Sequence, residues 1–396
     1  MIKVGITGQA GFVGTHLYNT LGLQPDKFEC IPFEDTYFSI PGKLEEFVQQ
    51  CDVIVHLAAM NRHNDPQVIY ETNIGLVKQL IAACEATSST PHILFSSSTQ
   101  EERDNLYGRS KKEGRELFQA WATRNGAYFT GLVIPNVYGP FGNPYYNSVV
   151  ATFCHQLTHN ETPKIEVDGE IKLIYVGELV DVIIQKIKRT QMTRIKQINT
   201  DEKISENLSD PCHPCSNEIY PVQHTAQIKV SSLLQKLQEY KSNYFEKGII
   251  PCLDDPFDRN LFNTFLTYID HATFFPFKLK LNTDERGSFV ETVKLHSGGQ
   301  VSFSTTVPGI TRGNHFHTRK AERFAVIKGK ARIDIRRIGT DKVLSFELDV
   351  NQPSFVDMPV WYTHNITNTG DEDLFTIFWI NEHFNPEDTD TYFEKV

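Results

Sequence analysis

Over residues 1 to about 185, short apolar runs alternate with longer amphipathic stretches. "KVGIT", "DVIVHLA", "PHILFSSS" and "YFTGLVI" are short and apolar enough to read as buried parallel strands, whereas "GFVGTHLYNTLG", "ETNIGLVKQLIAACEA" and "SKKEGRELFQAWATR" have the texture of helices. Strand and helix in repeated alternation predict a doubly wound parallel sheet. "LVDVIIQKIKR" predicts a further helix, "NTDEKISENLSDPCHPCSNEIYPVQHT" a polar loop, and "VSSLLQKLQEYKSNY" a last helix that closes a first domain near residue 247.

From about residue 276 the texture changes. "FKLKLN", "GSFVETVKL", "GQVSFSTTV", "RFAVIKGKARIDIRRI", "KVLSFELDV", "PSFVDMP", "THNITNT" and "LFTIFWI" are short β-rich segments punctuated by turn residues, the pattern of an all-β barrel or sandwich. The expected organisation is an α/β domain over 1–247, a connecting segment over 248–275 and a β domain over 276–396.

Composition narrows the class of protein. At 396 residues the chain exceeds one compact core, and no apolar run approaches the ~20 residues that span a bilayer, so membrane insertion is not expected. "MIKVGITG" runs directly into a strand without the features of a secretory signal, and seven scattered cysteines suit free thiols in a reducing compartment; both predict a cytoplasmic location. A net charge of -10 argues against a nucleic-acid surface, which needs clustered Lys and Arg, but allows a nucleotide in a local pocket.

Two sets of residues carry chemistry. Thr7, Gly8, Gly11 and Gly14 form T-G-x-x-G-x-x-G between the first strand and the first helix, where glycine permits a tight turn and lets backbone approach a pyrophosphate at a helix N-terminus. Further on, Tyr107 and Lys111 are four apart on a predicted helix, so an ammonium can sit beside the phenol and favour its ionised form. Such a pair alone is most often a solvated helix face, and the serines of "FSSSTQ" alone most often satisfy local backbone.

In this order the three signals resemble the extended short-chain dehydrogenase/reductase family, with its Rossmann-type doubly wound sheet, over about residues 1 to 245. "HLAAMN" from His56 and "NVYGP" from Asn136 fit the same family, although Val133-Ile134-Pro135 stands where many members place an Arg. The resemblance implies Ser98 as the hydroxyl that orients a carbonyl, Tyr107 as acid/base, and Lys111 as its partner and a ribose ligand. It implies a cofactor site lined by Thr7, Gly8, Gly11, Phe12, Val13, Gly14, Leu57, Ala58, Ala59, Tyr107 and Lys111. Glu34 and Asp35 follow the second predicted strand where a carboxylate binds a ribose 2′-hydroxyl and favours NAD, and no Arg follows that strand to hold a 2′-phosphate.

In the β half, Gly309-x5-His315-x-His317-x4-Glu322-x6-Gly329 resembles the first motif of the cupins. Strand alternation puts His315 and His317 on one face, a following strand brings Glu322 beside them, and His364 of "DMPVWYTHNITN" supplies a fourth ligand; nitrogen and carboxylate donors suit zinc. Trp361 and Pro353 replace glycines of the second cupin motif. The competing "CHPC", Cys212 to Cys215, is a single pair and poor zinc evidence. "DERGSFVE" and "GITRGNHFH" are similar to the sugar-nucleotide 3,5-epimerase branch, which implies His315 as a catalytic histidine. Either a metal takes over its proton-transfer role or another group is the base.

A 4-keto sugar nucleotide serves both sites, since reduction needs the ketone and epimerisation needs the acidic C–H beside it. The whole architecture, with "NPYYNSVVATFC" and "DTDTYFEKV", resembles the CapF/WbjC-type family of capsular polysaccharide synthesis enzymes. That resemblance implies C3 epimerisation and NADPH-dependent C4 reduction of UDP-2-acetamido-2,6-dideoxy-L-arabino-4-hexulose, zinc in the cupin, and a homodimer. It likewise implies a UDP-4-keto-6-deoxy-N-acetylhexosamine as substrate and UDP-N-acetyl-6-deoxy-L-talosamine, on the route to UDP-N-acetyl-L-fucosamine, as product. The rival readings are a plain 4-ketosugar reductase with a structural cupin, and a nucleotide-sugar sensor without turnover.

Overall fold

The computed structural model describes residues 1–201, 217–285 and 287–396, the stretch 190–201 by its backbone alone. Cys212, Cys215 and Arg286 lie outside the described residues. The chain divides into two compact units, each assembled from separate segments: Met1–Tyr138, Tyr145–Ser148 and Ile171–Gln227 form the first; Gly139–Pro144, Val149–Glu170 and Ile228–Val396 form the second.

In the first unit β1 (Ile2–Thr7), α1 (Phe12–Gly22), β2 (Phe28–Ile31), α2 (Lys43–Gln50), β3 (Val53–His56), α3 (Pro66–Ala86), β4 (His92–Ser98), α4 (Leu106–Asn125) and β5 (Phe129–Ile134) follow in order. The sheet runs β2-β1-β3-β4-β5 and then Asn217–Pro221, with every pair parallel. Leu17 and Leu21 of α1 share one apolar core with Leu179, Val180 and Ile183 of the helix Val176–Asp201. Leu44 and Phe47 of α2, Val77 and Leu80 of α3, and Phe118 and Trp121 of α4 fill another. These are the two covered faces of a doubly wound sheet, and because β2 and β3 lie on opposite sides of β1, its topological switch falls between β1 and β3.

The strand Asn217–Pro221 lies within the segment whose Pro, Ser and Asn content predicts a loop. As a sheet edge it is half polar: Glu218 pairs with Lys186 at 2.6 Å, so it lacks the apolar run that marks β4 or β5.

The second unit has two five-stranded antiparallel sheets. One runs Phe277–Lys278, Ser354–Met358, Glu322–Lys328, Leu374–Ile380, Gln300–Thr306; the other runs Val343–Asp349, Lys330–Arg337, Tyr362–Asn368, Thr311–Phe316, Tyr392–Phe393. Ala325, Val326, Phe355 and Met358 of the first and Ile333, Ile335, Phe346 and Ile366 of the second share one core. The stretch 248–275 is more than a connector. Asp255 caps the helix Pro256–Leu266, whose Leu261, Phe262 and Phe265 are fully buried, so this stretch belongs to the second unit.

Candidate functional site

The turn after β1 is built for close approach. Gly8 takes a φ of 71°, and a Cβ there would lie 2.8 Å from the backbone nitrogen of Ala58. A Cβ on Gly14 would lie 2.2 Å from the carbonyl oxygen of Gly8, so the first turn of α1 can pack on the loop only as glycine. Gly11 caps α1 with backbone alone, and no side chain takes the helix's first N–H groups. The buried Thr7 hydroxyl bonds the His56 ring at 2.8 Å and accepts from the Ala58 N–H at 3.4 Å, which ties the ends of β1 and β3 together. Phe12, Val13, Leu57, Ala58 and Ala59 flank this crevice and are half-buried. A glycine cradle at a helix N-terminus and a topological switch point fits a dinucleotide. Glu34 and Asp35 stand exposed beyond β2.

Three strands along, Ser98 ends β4 and its hydroxyl caps the following turn by accepting from the Gln100 N–H at 3.2 Å. The same hydroxyl bonds Tyr107 in the first turn of α4. Neighbouring Ser97 is buried and donates to Glu101, which is itself held by a bidentate bond from Arg115, so Ser98 is the serine turned toward the tyrosine. Lys111 donates to the Ser96 carbonyl at 2.9 Å and lies 5.7 Å from the centre of the Tyr107 ring.

The expected lowering of the phenol is absent. Burial, reinforced by Tyr146 and only partly opposed by the Ser98 bond, pushes Tyr107 up to about 12, and burial brings Lys111 down to about 8. Tyr107 is therefore a protonated phenol at neutral pH, the form that donates.

Two residues outside the sequence motifs set this geometry. A Cβ on Gly108 would lie 2.0 Å from the Gln100 carbonyl oxygen, so this glycine lets α4 close on the turn after Ser98. Buried Asn73 bonds the Met60 N–H at 2.7 Å and the Ser110 hydroxyl at 3.1 Å, fixing the loop after β3 against α4. Gly108 is visible in the sequence only as the residue beside Tyr107, and Asn73 only as a polar residue in an apolar helix face.

In the second unit, His315, His317, Glu322 and His364 each present one ligand atom, all within 4.8 Å of one another. His315 stands opposite His364 across a strand pair, after a bulge in which Gly313 and Asn314 take φ of 103° and 59°. His317 follows at the strand end, and Glu322 opens the strand Glu322–Lys328 of the facing sheet. The His315 ring is 4.6 Å from that of His364 and 5.1 Å from that of His317. Burial and the other two histidines bring His315 down to about 4, which keeps its ring neutral.

The buried Nε2 atoms of His317 and His364 and Oε2 of Glu322 have no well-formed hydrogen-bond partner, although the two nitrogens lie 3.4 and 3.1 Å from that oxygen. Three orphaned polar atoms aimed at one point, with borderline nitrogen and hard oxygen donors, fit a divalent metal. Trp361, where the cupin motif usually has glycine, takes a φ of 63° and donates its N–H to the His317 carbonyl at 2.8 Å.

A parallel-sheet nucleotide unit with Ser98 at the end of β4 and Tyr107 and Lys111 on α4, in one chain with a β unit carrying a metal-type quartet, defines an NAD(P)-dependent sugar-nucleotide enzyme class. Residues 4–199 match the NAD dependent epimerase/dehydratase family and residues 282–392 the polysaccharide biosynthesis C-terminal domain. The chain is 34% identical over 396 residues to the UDP-2-acetamido-2,6-beta-L-arabino-hexul-4-ose reductase of Pseudomonas aeruginosa, covering 99% of this chain and 98% of that protein. It is 32% identical, with a TM-score of 0.61 and full coverage of both chains, to the capsular polysaccharide assembling protein CapF of Staphylococcus aureus. The chain belongs to the CapF/WbjC-type family of capsular polysaccharide enzymes. Among the described residues, no helix is long and apolar enough to cross a membrane.

Proposed function

We propose that this protein epimerises C3 and then reduces C4 of UDP-2-acetamido-2,6-dideoxy-L-arabino-4-hexulose, using NADPH, to give UDP-N-acetyl-6-deoxy-L-talosamine for UDP-N-acetyl-L-fucosamine and capsule synthesis. The observation that carries this reading is the coexistence, in one chain, of a carbonyl-reduction triad in the first unit and, in the second, a quartet of metal-type ligands of which His317, Glu322 and His364 are buried. Identity of 34% along the whole chain to a 4-ketosugar reductase supports the substrate class.

In the first unit Thr7, Gly8, Gly11, Phe12, Val13, Gly14, Leu57, Ala58 and Ala59 hold the dinucleotide, and Lys111 binds its ribose. When bound, the reduced nicotinamide supplies hydride for C4. Ser98 donates a hydrogen bond to the 4-carbonyl oxygen and orients it, and Tyr107, kept protonated by burial, delivers its phenolic proton to that oxygen as it becomes an alcohol.

In the second unit His315, His317, Glu322 and His364 hold zinc. When bound, the ion supplies Lewis acidity at a carbonyl oxygen, which acidifies the neighbouring C–H. His315 serves there as a ligand, and proton transfer at C3 falls to another group. The protein acts as a homodimer, a state that light scattering on a sizing column reads directly.

Proton NMR of the UDP-4-keto-6-deoxy-N-acetylhexosamine in deuterated water tests the order of events. Deuterium enters C3 without NADPH, and a C4 alcohol forms on its addition. Reduction with no exchange at C3 in either state would leave a plain reductase and a structural cupin.

A further inference from the structure

Residues 388–396 bond to the elements that carry the quartet although none of them belongs to it. The Asp390 carbonyl accepts the Nδ1 proton of His317, which fixes the tautomer that leaves Nε2 facing the other ligands. The Asp390 carboxylate is buried and gathers the turn after His317: one oxygen accepts from the Thr318 N–H at 3.1 Å and its hydroxyl at 2.6 Å, the other from the N–H groups of Arg319 at 3.0 Å and Lys320 at 3.2 Å. Lys320 returns a bond from its ammonium to the Thr389 carbonyl at 2.8 Å.

Beyond Asp390 the same segment pairs with the ligand strand itself. Phe393 stands opposite His315 and Tyr392 opposite Phe316, and the Tyr392 ring stacks on Phe316 at 5.3 Å, with Trp361 on Phe316 at 5.6 Å. Glu394 donates its N–H to the Asn314 carbonyl at 3.0 Å and accepts from the hydroxyl of Thr363, the neighbour of His364. Three of the four ligands thus have a ring nitrogen, the flanking backbone or a neighbouring hydroxyl held by residues 390–394.

We infer that the segment 388–396 is a clasp that positions the metal ligands, with Asp390 as its positioning residue. The inference rests on the reading that the quartet holds a metal. Partners that orient a ligating histidine typically change metal affinity by roughly ten- to a hundredfold when removed.

Asp390 has a φ of 43°, so the informative variant is Asp390→Gly, which tolerates that backbone while deleting the carboxylate; Asp390→Asn also tolerates it and keeps one acceptor oxygen. The full-length protein is loaded with cobalt(II), whose visible absorption reports coordination geometry, and affinity is read against a chromophoric chelator. Asp390→Gly weakens cobalt binding by roughly ten- to a hundredfold and alters the absorption band, Asp390→Asn falls between it and the unaltered chain, and the metal-free variants keep their far-ultraviolet circular dichroism. Unchanged affinity and spectrum in Asp390→Gly would overturn the clasp, as would a metal-free variant that has lost its β-sheet signal. An unaltered chain that takes up no cobalt sinks the metal reading and the clasp with it, which separates the two failures.

Discussion

At the level of single residues, burial decides which proton-transfer roles are open. Tyr107→Phe removes only the hydroxyl, so NADPH binding persists while reduction of a 4-keto sugar nucleotide falls by roughly 10²–10⁴-fold, measured as single-turnover oxidation of NADPH. Lys111 carries the opposite sign: with its pKa brought down to about 8, the ammonium is present below that pH and lost above it. NADPH affinity therefore weakens as pH rises through about 8, and in titrations of Lys111→Met that inflection is absent. The motif positions Thr7, Tyr107, His315 and Glu322 were legible because each belongs to a fixed spacing. Asp390 and Asn73 were not, because their partners lie 73 and 13 residues away and only the fold brings them together.

Elements were read best where apolar pattern and length agreed. β1, β3, β4 and β5 fall on the expected runs, and the strands of seven or eight residues in the β unit fall on expected segments, whereas Thr311–Phe316, interrupted by Gly313, lies on none of the β-rich runs. The helix Pro256–Leu266 was passed over although Asp255 before Pro256 is a helix-start signal, because its apolar positions sit among Asp, Arg and Asn. The junction of β1 with α1 gives a sharp test. Gly14→Val drives a side chain into the Gly8 carbonyl, so NADPH binding is lost in a fluorescence titration while cobalt uptake by the quartet is retained. Trp361→Gly sets two effects against each other. Relief of the left-handed backbone returns about 1–2 kcal/mol, but loss of a buried indole stacked on Phe316 costs about 3–5 kcal/mol. Packing wins, and the variant melts at a lower temperature in calorimetry.

For the molecule as a whole, the chain passes from one unit to the other and back before it ends. Helix Val149–Thr158 belongs to the second unit and buries Val150, Phe153 and Leu157, yet it precedes the last strand of the first unit's sheet in the chain. A boundary at residue 247, natural from the sequence texture, would cut through the second unit. A fragment of residues 1–247 therefore binds the dye ANS strongly, because the apolar faces of Val149–Thr158 and Val230–Tyr240 have lost the helix Pro256–Leu266, whereas the full chain does not. The same interleaving bears on birth at the ribosome. Val149–Thr158 leaves the exit tunnel long before Pro256–Leu266, a wait of about 5–20 s at ordinary elongation speeds, and its greasy face is a ready target for a chaperone throughout that interval.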